Sequence, residues 1–285
     1  MQGLNMRIAG FTSLMLIIAI AVAACGSSNS SSSATSTPGS SGTSNLGLLS
    51  PGTLTVGSDT SYPPMETRDP NNPSQYLGAD VDLANALAKQ MGLSGAKIVS
   101  ASFDALILKL QSKDFDVIMS SMNDTPERAK RVDFVDYMTA TEGILVPKDS
   151  SIHADSYNGL CGKKVSVERG TTEADGLAEA NKTCSSKINI LSYTDDAAAY
   201  QSLVAGQSDA YTSDLPVILD YVNKNPDKYR QAGKAMSAHA NYGIAVRKGD
   251  TALKNALSKA LKKIRANGTY DKILKKWKVA DAALK

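Results

Sequence analysis

Histidine is scarce in this chain: two in 285 residues, His153 and His239. Both stand isolated, outside any metal-ligand spacing and outside any Ser/His/Asp or Cys/His grouping, so hydrolase chemistry and a metal centre have no support in the sequence. Among the 21 glycines no phosphate-cradling loop is found, which removes a nucleotide site. The sequence implies no cofactor. Net charge is only +3, from 31 basic and 28 acidic residues mixed along the chain. No basic stripe precedes the last helices, which argues against a nucleic-acid partner. Trp277 is the one tryptophan, and its place in a C-terminal apolar pattern reads as packing. A long apolar run is also wanting. Ile8 to Ala21 is almost wholly apolar but too short to span a bilayer comfortably.

That run is a leader. Met6-Arg7 supplies a basic start, and Val22-Ala23-Ala24-Cys25 follows. The four residues resemble the lipobox of bacterial lipoproteins, so residues 1–24 read as a removed signal peptide and Cys25 as an acylated new N-terminus. Residues 25–50, rich in Ser, Thr, Gly and Pro, have little to bury and read as a disordered tether. Signal, lipid and tether together place the protein outside the cytoplasm, anchored to the membrane by lipid. The two other cysteines, Cys161 and Cys184, read in that compartment as a disulfide.

From Pro51 onward short apolar runs alternate with helical patterns. "TLTVGSD" at 53–59 and "DVIMSS" at 116–121 read as strands, "DVDLANALAKQMG" at 80–92 and "SFDALILKLQ" at 102–111 as helices. This alternation argues for parallel βαβ units. The pattern restarts at "GKKVSVERGTT" (162–172), with a helix at 195–206 and a strand at 208–214. Leu110 precedes Asp116 by six residues, as Leu203 precedes Asp209, and each Asp opens a strand with a polar end. Two α/β lobes built alike are expected. Near the C-terminus "NYGIAVRKGD" reads as a strand with a turn, and Leu253, Leu257, Leu261 and Ile264 mark a helix.

One stretch breaks a rule. In "SSMNDTPERAKRVDF" (120–134) Thr125-Pro126 reads as a helix cap and first position. Arg128 then falls in the first turn, where the peptide dipoles already leave positive charge.

The ordered blocks "TLTVGSDTSYPPM", "GADVDLANALAKQMG", "SFDALILKLQSKDFDVIMSSMNDTPERAKRVDFVDYM", "GKKVSVERGTTE", "DAYTSDLPVILDYV", "YGIAVRKGD" and "NGTYDKILKKW" resemble the extracytoplasmic solute-binding proteins of polar amino-acid ABC transporters, family 3. The resemblance runs from about Leu54 to Trp277. It implies the α/β, two-lobed periplasmic-binding-protein fold of the second type, with two hinge crossings. One lobe would comprise residues 51–143 plus 240–285, the other 144–239. It also implies a monomeric carrier that hands a free amino acid to a membrane permease by closing on it.

The resemblance accounts for the arginine. A guanidinium fork and a helix start together seat a ligand carboxylate, and the resemblance implies that Arg128 is that clamp. Asp214 would accept the ammonium, although Asp-Leu-Pro is also a good helix cap. Ser121 and Asn123 would add hydrogen bonds, Asn123 where the family usually has Ser or Thr. Thr171 and Thr172, after Gly170, would hold the carboxylate from the other lobe, Thr172 also capping its helix. Tyr62 and Phe103 would sandwich the side chain, and Asp59 and Glu168 would lie at its far end. Two acids there tilt the expected ligand toward glutamine, arginine or lysine. Asp80 reads first as a helix cap. The protein is therefore expected to be a carrier, not an enzyme. Two rival readings are a cyclohexadienyl-dehydratase-like enzyme with Glu173 as general acid, and a lipoprotein that presents ligand to a sensor.

Overall fold

The computed structural model describes residues 46–284. The signal segment, Cys25 and the tether up to residue 45 lie outside the described residues. Residues 46–50, assigned from sequence to the tether, lie against the folded body. Leu48 packs on the core, and the Leu49 N–H donates to Asp116 Oδ1 at 2.9 Å.

The strands are β1 (Thr53–Ser58), β2 (Ser61–Tyr62), β3 (Glu66–Arg68), β4 (Tyr76–Leu77), β5 (Gly95–Ser100), β6 (Val117–Ile118), β7 (Val132–Pro147), β8 (Lys164–Glu168), β9 (Asn189–Tyr193), β10 (Ala210–Asp214), β11 (Tyr229–Gln231) and β12 (Met236–Arg247). The helices are α1 (Ala79–Gln90), α2 (Leu106–Gln111), α3 (Pro126–Ala129), α4 (Thr172–Thr183), α5 (Asp196–Val204), α6 (Leu215–Lys224), α7 (Thr251–Ala266) and α8 (Thr269–Lys276). Strands β2, β3 and β4 form a small separate sheet.

The main sheet runs β5-β1-β6-β12-β7-β10-β8-β9, with β11 paired to β7. It has two parallel wings. In one, β1 lies between β5 and β6. In the other, β8 lies between β9 and β10. Each wing places its first strand centrally, its second outside and its third inside, with helices on the crossovers, so the repeat suspected from sequence is a repeat of topology. The shared leucine–aspartate spacing has a physical counterpart. Asp116 N donates to Thr55 O at 2.9 Å and Asp116 Oδ2 accepts from Thr55 N at 2.8 Å. Asp209 repeats both bonds with Lys164, each at 2.8 Å. In each wing the aspartate locks the third strand to the first, while Leu110 and Leu203 are buried.

Between the wings run β7 and β12, antiparallel to each other. β7 continues into the second wing by pairing with β10, and β12 into the first by pairing with β6. The sequence did not mark β7 as a strand. Its Asp133, Asp136 and Glu142 interrupt the apolar pattern over sixteen residues.

Helix ends follow the expected chemistry. Thr125 Oγ1 accepts from the Arg128 N–H at 3.3 Å, with Pro126 at the first position. Gly92, at φ 84°, stops the turn after α1 where a side chain would be strained. The segment 102–111 begins as a 3-10 turn at Phe103–Ala105 and becomes α-helical from Leu106. Leu253, Leu257, Leu261 and Ile264 are all buried on α7. Trp277 packs against the same core, and its Nε1 donates to Asp82 Oδ2 at 2.7 Å. Cys161 and Cys184 are bonded, tying the start of the second wing to the end of α4.

Candidate functional site

Strand ends of both wings converge on one cleft, where parallel α/β sheets gather their binding groups. Asp59 follows β1, Phe103 follows β5, and Ser120 and Ser121 follow β6. Opposite them Glu168 ends β8 and Asp214 ends β10. Asp59, Tyr62, Glu66, Phe103, Ser120, Ser121, Asn123, Glu168, Thr171, Glu173 and Asp214 line a narrow space whose cavity volume is about 10 Å³.

At one end lies Arg128. Its guanidinium stands 5.1 Å over the Phe103 ring. Nη1 donates to Asn123 O and Nη2 to Gly170 O, both at 3.0 Å. The second bond crosses from the first wing to the β8–α4 turn. Nearby, Arg169 Nε donates to Asp104 Oδ2 at 2.7 Å, and Thr172 Oγ1 donates to Asn123 Oδ1 at 3.3 Å. Glu173, Asp175 and Asp214 act on Arg128 to favour its charge, against the stronger opposing effect of burial. Gly170, at φ 82°, brings its backbone close to Asp104; a Cβ there would stand 3.0 Å from the Asp104 Cβ.

The middle belongs to Asp214. Its Oδ2 accepts from the Tyr62 hydroxyl at 2.7 Å. That hydroxyl in turn accepts from Asp214 N at 3.1 Å and from Ser213 Oγ at 3.0 Å. Burial raises Asp214 to about 7 despite these bonds. Glu173, 3% exposed in the first turn of α4, is raised by burial and by Asp214.

At the other end Asp59 and Glu168, one from each wing, line the cleft together. Asp59 Oδ1 accepts from Ser61 N at 2.9 Å and Ser61 Oγ at 2.6 Å, and Oδ2 from Phe103 N at 3.2 Å. Burial raises both acids. Asp196 stands behind them, accepting from Tyr211 OH at 2.5 Å and raised by burial to about 8. Its backbone N–H donates to Ser61 Oγ at 3.2 Å, another bond between the wings.

All ten sequence-expected ligand residues meet at this cleft. Eight line the space itself, while Arg128 and Thr172 stand at its edge through Phe103 and Asn123. Three expectations change in detail. Thr171, not Thr172, caps α4, accepting from Ala174 N at 3.2 Å. Asp214 occupies the cap position of α6 without a side-chain cap bond, because its carboxylate is turned to Tyr62. Asp80 does not cap α1. It accepts from Ser121 N at 2.8 Å and Tyr137 OH at 2.6 Å, and burial raises it to about 6. Ser121, at φ 43°, turns its N–H onto that carboxylate. Sequence reading missed Glu66, Ser120 and Asp196. Ser120 Oγ donates to Glu66 Oε1 at 2.8 Å and accepts from Asp59 N at 2.8 Å. The one available signal was the acid's position: Glu66 sits just past the Tyr-Pro-Pro turn, and Asp196 beside the cap Asp195.

Comparison with known proteins gives one consistent relationship. Residues 54–280 match the family described as bacterial extracellular solute-binding proteins, family 3. The lysine/arginine/ornithine-binding periplasmic protein of Escherichia coli K12 is 32% identical over 234 residues, covering 80% of this chain and 88% of that protein. The glutamine-binding protein GlnH of a Bacillus subtilis ABC transporter is 34% identical over 217 residues, covering 74% and 77%. An ancestral arginine-binding protein, solved with arginine bound, superposes with a TM-score of 0.74 at 36% identity, covering 79% of this chain and 98% of its own.

Proposed function

The chain belongs to the bacterial extracellular solute-binding proteins of family 3, and from that premise we propose that it captures a free polar or basic L-amino acid outside the cytoplasm and delivers it to the permease of an ABC importer. The observation that carries this reading is the charge layout of the cleft. One guanidinium, Arg128, stands at one end, and buried carboxyls supply the middle and the far end. That order complements a carboxylate, an α-ammonium and a side chain that is polar or cationic.

In this reading Arg128 grips the α-carboxylate with donors that its bonds to Asn123 O and Gly170 O leave free, and Thr172 adds a hydroxyl from the other wing. Asp214 accepts the ammonium, displacing the Tyr62 hydroxyl from Oδ2, and Glu173 adds a second acid. Phe103 and Tyr62 flank the aliphatic stem, and Asp59 with Glu168 meets its end. The lobes are residues 51–143 plus 240–285 and residues 144–239, with β7 and β12 as the two crossings that flex on closure. Because the bonds of Arg128, Arg169 and Asp196 cross the cleft, a ligand held from both sides stabilises the closed form. The protein is a monomeric carrier moored through lipid on Cys25. The binding roles of its relatives support a carrier rather than a catalyst.

A thermal-shift screen against the twenty amino acids tests this. A ligand bound by the native state alone raises stability by about 2.7 kcal/mol at a hundredfold excess over Kd. Silence from all twenty would overturn the reading. A second reading has one observation in its favour, since Glu173 is buried in the cleft with a raised pKa, as suits a general acid. Aromatic product formed from prephenate or arogenate would establish it.

A further inference from the structure

Two arginines cross the cleft at a single turn. Arg128, from the first wing, donates to Gly170 O at 3.0 Å. Arg169, the residue before that glycine in the second wing, donates from Nε to Asp104 Oδ2 of the first wing at 2.7 Å. The β8–α4 turn is thus held at both of its residues. The approach is close: a Cβ on Gly170 would stand 3.0 Å from the Asp104 Cβ. Each partner of the ion pair is presented by its own wing. Asp104 Oδ1 accepts from Ser102 Oγ at 2.9 Å, and the Arg169 N–H donates to Tyr193 O at 2.8 Å. The pair also stands apart from the residues that line the cleft. Phe103 and Glu168 line it, whereas their chain neighbours Asp104 and Arg169 do not. The Arg169 and Asp104 side chains are instead 53% and 30% exposed.

We propose that Asp104 and Arg169 are positioning residues that form a latch outside the ligand space, lengthening the stay of a captured ligand whatever its side chain. The inference rests on the amino-acid reading and the hinge closure above. The two charges come from different wings, so they pair only when the wings are together. A ligand in the cleft touches neither. The pair therefore adds the same stability to the closed form with every ligand, and it opposes opening rather than entry. Its size follows from its exposure. A solvent-exposed ion pair contributes modestly and is weakened by salt, so the latch tunes the dwell time while Arg128 supplies the grip.

Stopped-flow kinetics of the full chain with arginine and with glutamine test this. Arg169→Ala and Asp104→Ala should each raise the dissociation rate about two- to fivefold, by the same factor for each ligand that binds, with association nearly unchanged. The double variant should dissociate no faster than either single one, because each already breaks the pair. Dissociation from the unaltered protein should quicken as NaCl rises from about 0.05 to 0.5 M, and the variants should lose that response. A general weakening of the fold would produce neither the non-additivity nor the lost salt response. Unchanged dissociation in both single variants would overturn the latch while leaving the carrier function standing. So would additive losses in the double variant, a salt response that persists in all three, or an effect that differs between the ligands. Absence of binding by both probes would instead overturn the underlying reading.

Discussion

Truncating Arg128 to alanine removes a charged fork from a largely enclosed site. A hydrogen bond to a charged group contributes about 1.5–3 kcal/mol, and a carboxylate held in a fork receives two. The guanidinium also stacks on Phe103 and donates to Gly170 O across the cleft, so its loss loosens closure as well as contact. We expect affinity to fall by roughly 3–5 kcal/mol, or about 10²–10⁴-fold. The α-carboxylate is common to all amino acids, so arginine and glutamine should lose the same factor. Arg128→Lys keeps the charge but not the planar fork and should fall between. The Thr125 cap is made to the backbone N–H of residue 128, so α3 survives either change. Isothermal titration of both ligands against both variants is the assay. Unchanged affinity, or a loss confined to one ligand, would refute the role given to Arg128.

Three further outcomes follow from other parts of the molecule. Reducing Cys161–Cys184, which closes a loop of sequence separation 23, should cost about 3.5 kcal/mol on the chain-entropy relation, lowering Tm by on the order of 10 °C in a calorimetric scan. Asp116→Ala leaves the Leu49 and Thr55 N–H groups bare and should cost about 2–4 kcal/mol in urea unfolding, against about 1 kcal/mol for the exposed Asp209→Ala, which bares Lys164 N. Burial raises Asp196 to about 8 and Asp214 to about 7 from an ordinary 3.8. The native state therefore keeps protons that the unfolded chain releases above about pH 4, and stability of the ligand-free protein should fall as pH rises from about 4 to 8. The urea midpoint measured at pH 5 and pH 8 checks this, and Asp196→Asn should reduce the slope.

Much of the fold was legible because each wing repeats a local pattern. Leu83 and Leu87 on α1, and the leucines of α7, recur at helical spacing, while β1 and β8 are compact apolar runs beside a turn. The crossing strand β7 was not legible. Its acids meet partners outside the strand: Asp133 accepts from Lys248 Nζ at 2.8 Å and Glu142 from the Tyr157 hydroxyl at 2.5 Å. Local periodicity carries no record of such contacts. Strands β5 and β9 were missed for a related reason. Each lies on an outer edge of the sheet, where half-burial weakens the apolar signal.

The site divides in the same way. Arg128 was legible because it violates a local rule, a cation in a positive first turn, and such violations concentrate where function overrides helix stability. Glu66, Ser120 and Asp196 break no rule of their own. Their meaning arises when the two wings meet, since Glu66 needs Ser120 from β6, and Asp196 needs Tyr211 and Ser213 from β10. A lone buried carboxyl would be a costly defect. Here several acids line one cleft beside the Arg128 guanidinium. That is why single acids gave only a mild tilt toward a cationic side chain: the sequence does not show that acids from both wings converge on one cleft.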